Sequence, residues 1–209
     1  MTGRRQPSAI EEHLTFLGRF LRNPRQVGAL APSSRTLARE MLRGIPLTPA
    51  SRIVELGPGT GVFTREVIRQ LPAGGKFLAV DIDPRFCREL RDRWPALDCE
   101  CGSAADVSAM IAARGWTGVD HIISGLPFAS LPAALSRSIL SAVQSVLHRG
   151  GTFTTFQYIH AYPSPPAKAF RREMAARFGP LVARRAVFRN LPPAFVLSWR
   201  QPDTAARES

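Results

Sequence analysis

Ile53-Val54-Glu55-Leu56-Gly57-Pro58-Gly59-Thr60-Gly61 decides the fold of this chain. An apolar run ends in a turn with glycine at alternate positions, and helical spacing resumes over Gly61–Gln70. A strand, a glycine-rich turn and a helix in that order form the opening unit of a parallel α/β sheet. Gly57, Gly59 and Gly61 let the backbone turn sharply and let a ligand approach where a side chain would intrude.

Outward from this unit, short apolar runs alternate with helical segments. Arg52–Leu56, Lys76–Val80, Leu97–Cys101, His121–Ser124 and Thr152–Gln157 read as strands, and Pro84–Arg93, Ala105–Ala113 and Ala133–Leu147 read as helices. Strands separated by helices of this length predict right-handed crossovers and a mainly parallel sheet. After a helix over Pro166–Phe178, the runs Leu181–Phe188 and Ala194–Trp199 are close enough to pair as an antiparallel hairpin, which completes a seven-stranded sheet. Ahead of the sheet, Ser33 or Ser34 caps a helix that buries Leu37, Ala38, Met41 and Leu42. Ile10 to Arg22 reads as a further, amphipathic helix with arginines beside its apolar stripe. The expected organisation is N-terminal amphipathic and capping helices over 1–45 and an α/β, Rossmann-like domain over 46–200.

Glu55 stands two residues before the first glycine. A carboxylate there repels the pyrophosphate of a dinucleotide and welcomes a cation. S-adenosylmethionine, with its ammonium and sulfonium, suits such a turn. The second strand delivers Asp81 and Ile82 to the carboxyl edge of the sheet, where α/β proteins bind ligands, and the Asp81 carboxylate can accept both hydroxyls of a ribose. Asp83, ahead of Pro84, reads rather as the cap of the next helix. Ser103 and Ala104 follow the third strand, where an adenine edge is read by an amide and a side-chain oxygen; Ser103 is equally placed to cap a helix. The fourth strand runs into Ser124-Gly125-Leu126-Pro127-Phe128, a rigid turn at the same edge that adds Ser124 to the cofactor site.

A chain of 209 residues, 44% hydrophobic, is sized for one domain. Cys87, Cys99 and Cys101 form no CxxC pair and the histidines stand singly, so reduced, buried thiols are expected, without disulfides or a metal site. No apolar run has the length of a membrane span, and the N-terminus lacks the apolar core of a secretory signal, which predicts a cytoplasmic protein. With 28 Lys and Arg against 16 Asp and Glu the net charge is +12, and such a chain is drawn to polyanions, either RNA or an anionic lipid surface.

VELGPGTG, AVDID, GSAAD and ISGLPF, in this order, resemble the class I S-adenosylmethionine-dependent methyltransferases. Phe20 to Ser34 (FLRNPRQVGALAPSS), the SGLPF turn and Arg189-Asn190-Leu191-Pro192-Pro193-Ala194 are similar to the soluble bacterial phospholipid N-methyltransferases, and the similarity runs from residue 14 to about residue 200. The resemblance implies methylation of phosphatidylethanolamine and its partly methylated forms, towards phosphatidylcholine. It also implies an N-terminal helix resting on the inner face of the membrane, an SGLP turn facing the lipid amine, and closing strands that help hold the headgroup. Phe128-Ala129-Ser130 departs from the Leu-Leu-Ser or Leu-Met-Ser of that family. The ribosomal RNA adenine dimethyltransferases resemble the same core but carry Asn-Leu-Pro-Tyr or Asn-Leu-Pro-Phe after the fourth strand. Here Gly125 precedes Leu126-Pro127-Phe128 and the amide is missing, so no nucleic-acid partner is expected. RNA or small-amine methylation is the alternative, and a non-enzymatic lipid-binding module a further one.

Methyl transfer requires an amine lone pair aligned with an already activated carbon. Tyr158, at the end of the fifth strand, is the first candidate to orient the amine, with the carbonyls of Ser124 and Gly125 as neighbours. Tyr158, Tyr162 and Phe128 are candidates to hold a quaternary product by cation–π attraction, while packing of the sheet edge is the other reading of Phe128 and Tyr162. Arg189 with Asn190 is the candidate pair for the lipid phosphate, followed by His160 and Lys168.

Overall fold

The computed structural model describes residues 34–203. Helix α1 (Arg35–Leu42) precedes a regular alternation: β1 (Arg52–Leu56), α2 (Val62–Gln70), β2 (Lys76–Asp81), α3 (Pro84–Arg93), β3 (Asp98–Cys101), α4 (Val107–Ala113), β4 (Val119–Ser124), α5 (Ala133–Val146) and β5 (Leu147–Tyr158). Helix α6 (Pro165–Phe178) leads into β6 (Ala183–Val187) and β7 (Ala194–Arg200). All seven strands join one sheet in the order β3-β2-β1-β4-β5-β7-β6. β1 to β5 are parallel; β7 lies antiparallel against β5, with β6 outside it. The chain steps outward from β1 to β3 and then returns to the other side of β1, so the turns after β1 and β4 part and leave a crevice at the carboxyl edge.

Alternation along the strands divides the core. Val54, Leu56, Leu78, Val80 and Phe153 face α4, α5 and α6, whereas Ile53, Ile123 and Val196 face α1 and α2. Helix α1 buries Leu37, Ala38, Met41 and Leu42, as their spacing predicts, the leucine and methionine burials being worth up to about 3 kcal/mol each. Of the two candidate serines Ser34 is the cap: its hydroxyl accepts the Leu37 N–H at 3.1 Å. The helix expected over Ile10–Arg22 lies outside the described residues. Among the described residues no helix is long and apolar enough to cross a membrane.

Several boundaries differ from the reading of the sequence, two of them for clear local reasons. Ser103 caps a 3-10 turn over Ala104–Asp106, so α4 starts at Val107 rather than Ala105. Strand β5 begins at Leu147, directly after α5, because the glycines that suggest a break there make an irregularity within the strand: the pairing with β4 shifts between Val119 and His121, and Gly150 takes φ +73°. Cys87 and Cys99 are buried free thiols, as expected, but Cys101 is exposed.

Register sets where the closing hairpin points. Tyr158, the last residue of β5, pairs with Ala194, which also pairs with Val187. The turn Phe188–Pro193 therefore lies at the carboxyl edge, beside the turns that follow β1, β2, β3 and β4.

Candidate functional site

The turn after β1 is a left-handed backbone. Gly57 and Gly59 have φ of +70° and +52°, values that side chains resist, and the space before Gly59 is open where a Cβ would stand. Gly61 serves packing instead: a Cβ there would lie 2.7 Å from both Leu90 and Trp94 on α3 and just beyond it. Glu55 is sealed beneath the turn. Its Oε2 accepts the Thr64 hydroxyl at 2.7 Å, while Oε1 is buried with no partner among the described residues. Burial, with the Asp81 carboxylate adding to it, pushes the Glu55 pKa up to about 8.

Asp81 ends β2 and braces the glycine turn. One carboxylate oxygen accepts the Gly59 N–H and the other the Asp83 N–H, both at 2.9 Å, and burial raises its pKa. Each oxygen keeps a lone pair for a further donor. Ile82 follows, half-buried. Asp83 caps α3, taking the Arg85 N–H at 2.9 Å. Register places Cys101 beside Asp81, so Ser103 and Ala104 extend the same edge; both are partly exposed, and the Ser103 hydroxyl accepts the Ala105 N–H.

The turn after β4 presses on the first. Gly125 donates its N–H to the Leu56 carbonyl at 2.8 Å, and a Cβ on Gly125 would lie 2.6 Å from the Gly57 carbonyl oxygen. Ser124 is fully buried: its hydroxyl accepts the Leu126 N–H and its carbonyl accepts the Thr155 hydroxyl. It shapes the turn from within the sheet. Phe128 is likewise internal, stacked on Phe170 at 4.8 Å and edge-on to Phe153, because the chain turns inward after Pro127 and α6 covers it. Packing, not a cation, occupies its faces.

On the opposite, α1–α2 side of the sheet, an aromatic row leads from the first turn to the edge. Phe63 meets Phe156 edge-on at 5.9 Å, Phe156 meets Tyr158 at 5.5 Å, and Tyr158 stacks on exposed His160 at 5.7 Å. Burial raises the Tyr158 pKa, so its phenol stays protonated through neutral pH. Phe63 was not anticipated as a site residue; its place in the first turn of α2, immediately beyond the glycines, and the two-residue spacing of Phe156 and Tyr158 are the signals that mark the row.

The remaining acceptor candidates separate. Asn190 is 1% exposed: its Oδ1 accepts the Ser34 N–H at 2.8 Å and its Nδ2 donates to the Pro192 carbonyl at 2.6 Å. It joins α1 to the hairpin from a buried position, away from the surface where a lipid phosphate would lie. Arg189 beside it is exposed, as is Lys168 in the first turn of α6. Tyr162 carries the Arg171 guanidinium 3.6 Å over its ring, which fills the face a quaternary ammonium would need.

These residues fit a cationic nucleoside cofactor: the unpartnered Glu55 oxygen sets a carboxyl group beneath the turn, the open space at Gly59 admits a ligand, and Asp81 adds acceptors one strand away. A family profile described as a methyltransferase domain matches residues 53–151. The ornithine lipid N-methyltransferase of Singulisphaera acidiphila is 33% identical over 191 residues, 88% of this chain and 94% of that protein. The ribosomal RNA small subunit methyltransferase A of Chlorobium limicola is 31% identical over 74 residues, 35% of this chain and 27% of that protein. Among solved structures, the 1,6-didemethyltoxoflavin-N1-methyltransferase of Burkholderia thailandensis, with bound S-adenosylhomocysteine, aligns at a TM-score of 0.66 and 16% identity over 96% of this chain and 94% of its own.

Proposed function

The chain belongs to the class I S-adenosylmethionine-dependent methyltransferases, and from that premise we propose that it methylates a lipid amine at the membrane surface, phosphatidylethanolamine and its partly methylated forms first, towards phosphatidylcholine. The observation that carries this reading is the aromatic row Phe63–Phe156–Tyr158–His160, which ends at the same edge as the cofactor turns. Aromatic faces suit an amine whose positive charge persists while its hydrogen-bond donors are replaced by methyl groups. The likeness to the Singulisphaera protein favours a second acceptor, an ornithine lipid, which also bears its amine a few bonds from an anion. An adenine acceptor gains little support, since Gly125 has no room for the amide side chain that would hold it.

Bound S-adenosylmethionine supplies a methyl group on a sulfonium. Glu55 and Asp81 would favour its charge and ribose, and Ile82 with the Ser103–Ala104 backbone would hold the adenine. Tyr158 orients the acceptor amine as a neutral phenol, Gly125 holds the two turns in contact, and exposed Arg189 meets the lipid anion. An acceptor ammonium gives up its proton, to water or to a nearby acceptor, before it can be methylated. The chain's own part in catalysis is alignment of the acceptor amine.

The test is methyl transfer from labelled S-adenosylmethionine into vesicles of an anionic lipid mixed with either phosphatidylethanolamine or an ornithine lipid, with ribosomal RNA in parallel. Label in the phosphatidylethanolamine fraction is the expected result. Label in the ornithine lipid alone selects the second acceptor, and label confined to RNA overturns both.

A further inference from the structure

Phe188 is 74% exposed and Leu191 69%, more than any other large hydrophobic side chain among the described residues. Both sit in the β6–β7 turn and flank exposed Arg189 and buried Asn190. An isolated exposed leucine requires no explanation, but two large apolar side chains projecting from one short turn form a wedge. Its shape is held from inside, because the Asn190 side chain bonds the Pro192 carbonyl and the Ser34 N–H and leaves the flanking residues facing out.

Charge selects the partner. From His121 to Asp203 the chain carries ten Lys and Arg but only two acids, Glu173 and Asp203, and none from Met174 to Pro202. Apolar side chains around a cation, on a surface of such charge, match a lipid leaflet with anionic headgroups: the rings and branches enter the acyl boundary and the guanidinium stays with the phosphates. Position agrees as well. The Ile159 N–H donates to the Pro193 carbonyl at 2.9 Å, which ties the turn to the end of β5 and hence to Tyr158. We infer that the β6–β7 turn is a membrane-docking wedge in which Phe188 and Leu191 insert into an anionic phospholipid surface, Arg189 binds its headgroups, and Tyr158 is thereby brought to the level of the lipid amine. The inference rests on the lipid-acceptor reading and assigns it a point of contact.

The test uses the full chain. In Phe188→Trp, with the signal of the three native tryptophans subtracted, fluorescence is read against phosphatidylglycerol–phosphatidylcholine vesicles with brominated acyl chains. Quenching is expected, weaker on pure phosphatidylcholine and at high salt. The double variant Phe188→Ser, Leu191→Ser is expected to partition onto vesicles roughly tenfold to a hundredfold more weakly, with unchanged S-adenosylmethionine affinity and unchanged turnover of a monomeric short-chain phosphatidylethanolamine. No quenching at position 188, or undiminished partitioning of the double variant, overturns the wedge. Burial of the new tryptophan that grows with protein concentration in the absence of vesicles also overturns it, in favour of a second copy. Quenching without methyl transfer to any lipid leaves docking in place and overturns the acceptor reading instead.

Discussion

From Pro46 to Asp120 the chain carries ten acids and nine Lys and Arg, whereas from His121 to Asp203 it carries two acids and ten Lys and Arg. In the first region several charges are answered nearby: Arg114 bridges Asp98 and Glu100, Arg69 pairs with Glu66, and Arg85 with Asp83. Glu55 and Asp81 stand apart as acids buried at the glycine turn, with no salt-bridge partner among the described residues. In the second region the cations outnumber their partners and aromatic side chains line the edge. One side of the sheet is arranged to attract a cation and the other an anion, so on the proposed reading a sulfonium donor and a lipid anion would meet at one edge from opposite electrostatic sides.

The comparison breaks most visibly at Glu55. Its pKa is raised to about 8, so between roughly pH 4.5 and 8 the folded protein holds a proton that the unfolded chain has released, and stability falls as pH rises through that window. Glu55→Gln is expected to remove this slope and to be the more stable protein by a few kcal/mol at pH 8.5, with little difference at pH 5. Denaturant unfolding at the two pH values without cofactor checks it, and an unaltered slope assigns the pH dependence elsewhere. A second readout is proton release when S-adenosylmethionine binds near neutral pH, present in the wild type and absent in the variant.

Gly125 is where the two regions touch. In Gly125→Ala the added carbon meets the Gly57 carbonyl, which cannot yield as a side chain would, at a cost of about 1–3 kcal/mol. Cofactor affinity measured by calorimetry is expected to fall about tenfold to a hundredfold; full affinity would mean that the turns move independently. Tyr158→Phe sharpens the division, since it keeps the ring and loses the hydroxyl: kcat should drop about three- to tenfold with cofactor affinity intact. The smallest effect is expected from Arg189→Ala, a rise of about fivefold in the apparent KM for vesicle-borne acceptor that shrinks with added salt. A change in cofactor affinity there would contradict the division.

The two regions also differ in how far their sequence discloses them. Glu55, the glycines, Asp81 and Ser103 form motifs within a few residues of strand ends, and the bonds that fix them are short in sequence, such as Asp83 N–H to Asp81 and Ala105 N–H to Ser103. The acceptor side is made by contacts between distant segments. Phe128 is covered by Phe170 and Phe153, Tyr162 by Arg171, and the Asn190 amide is taken up by Ser34, 156 residues away. Composition marks these as aromatic or polar residues near a sheet edge; only the packing of α6 and the docking of α1 decide which of them face solvent.

The Asn190–Ser34 bond also bears on how the protein is made. Helix α1 is synthesised before any strand of the sheet, yet the side chain that holds its first turn is added some 150 residues later. The buried face of α1, Leu37, Ala38, Met41 and Leu42, packs with Ile53, Phe63 and Val67 from the segment made next, but its cover is complete only when Val196 on β7 joins the same cluster. Contacts of such long range are slow to form, so β7 completes late the edge that α1 borders.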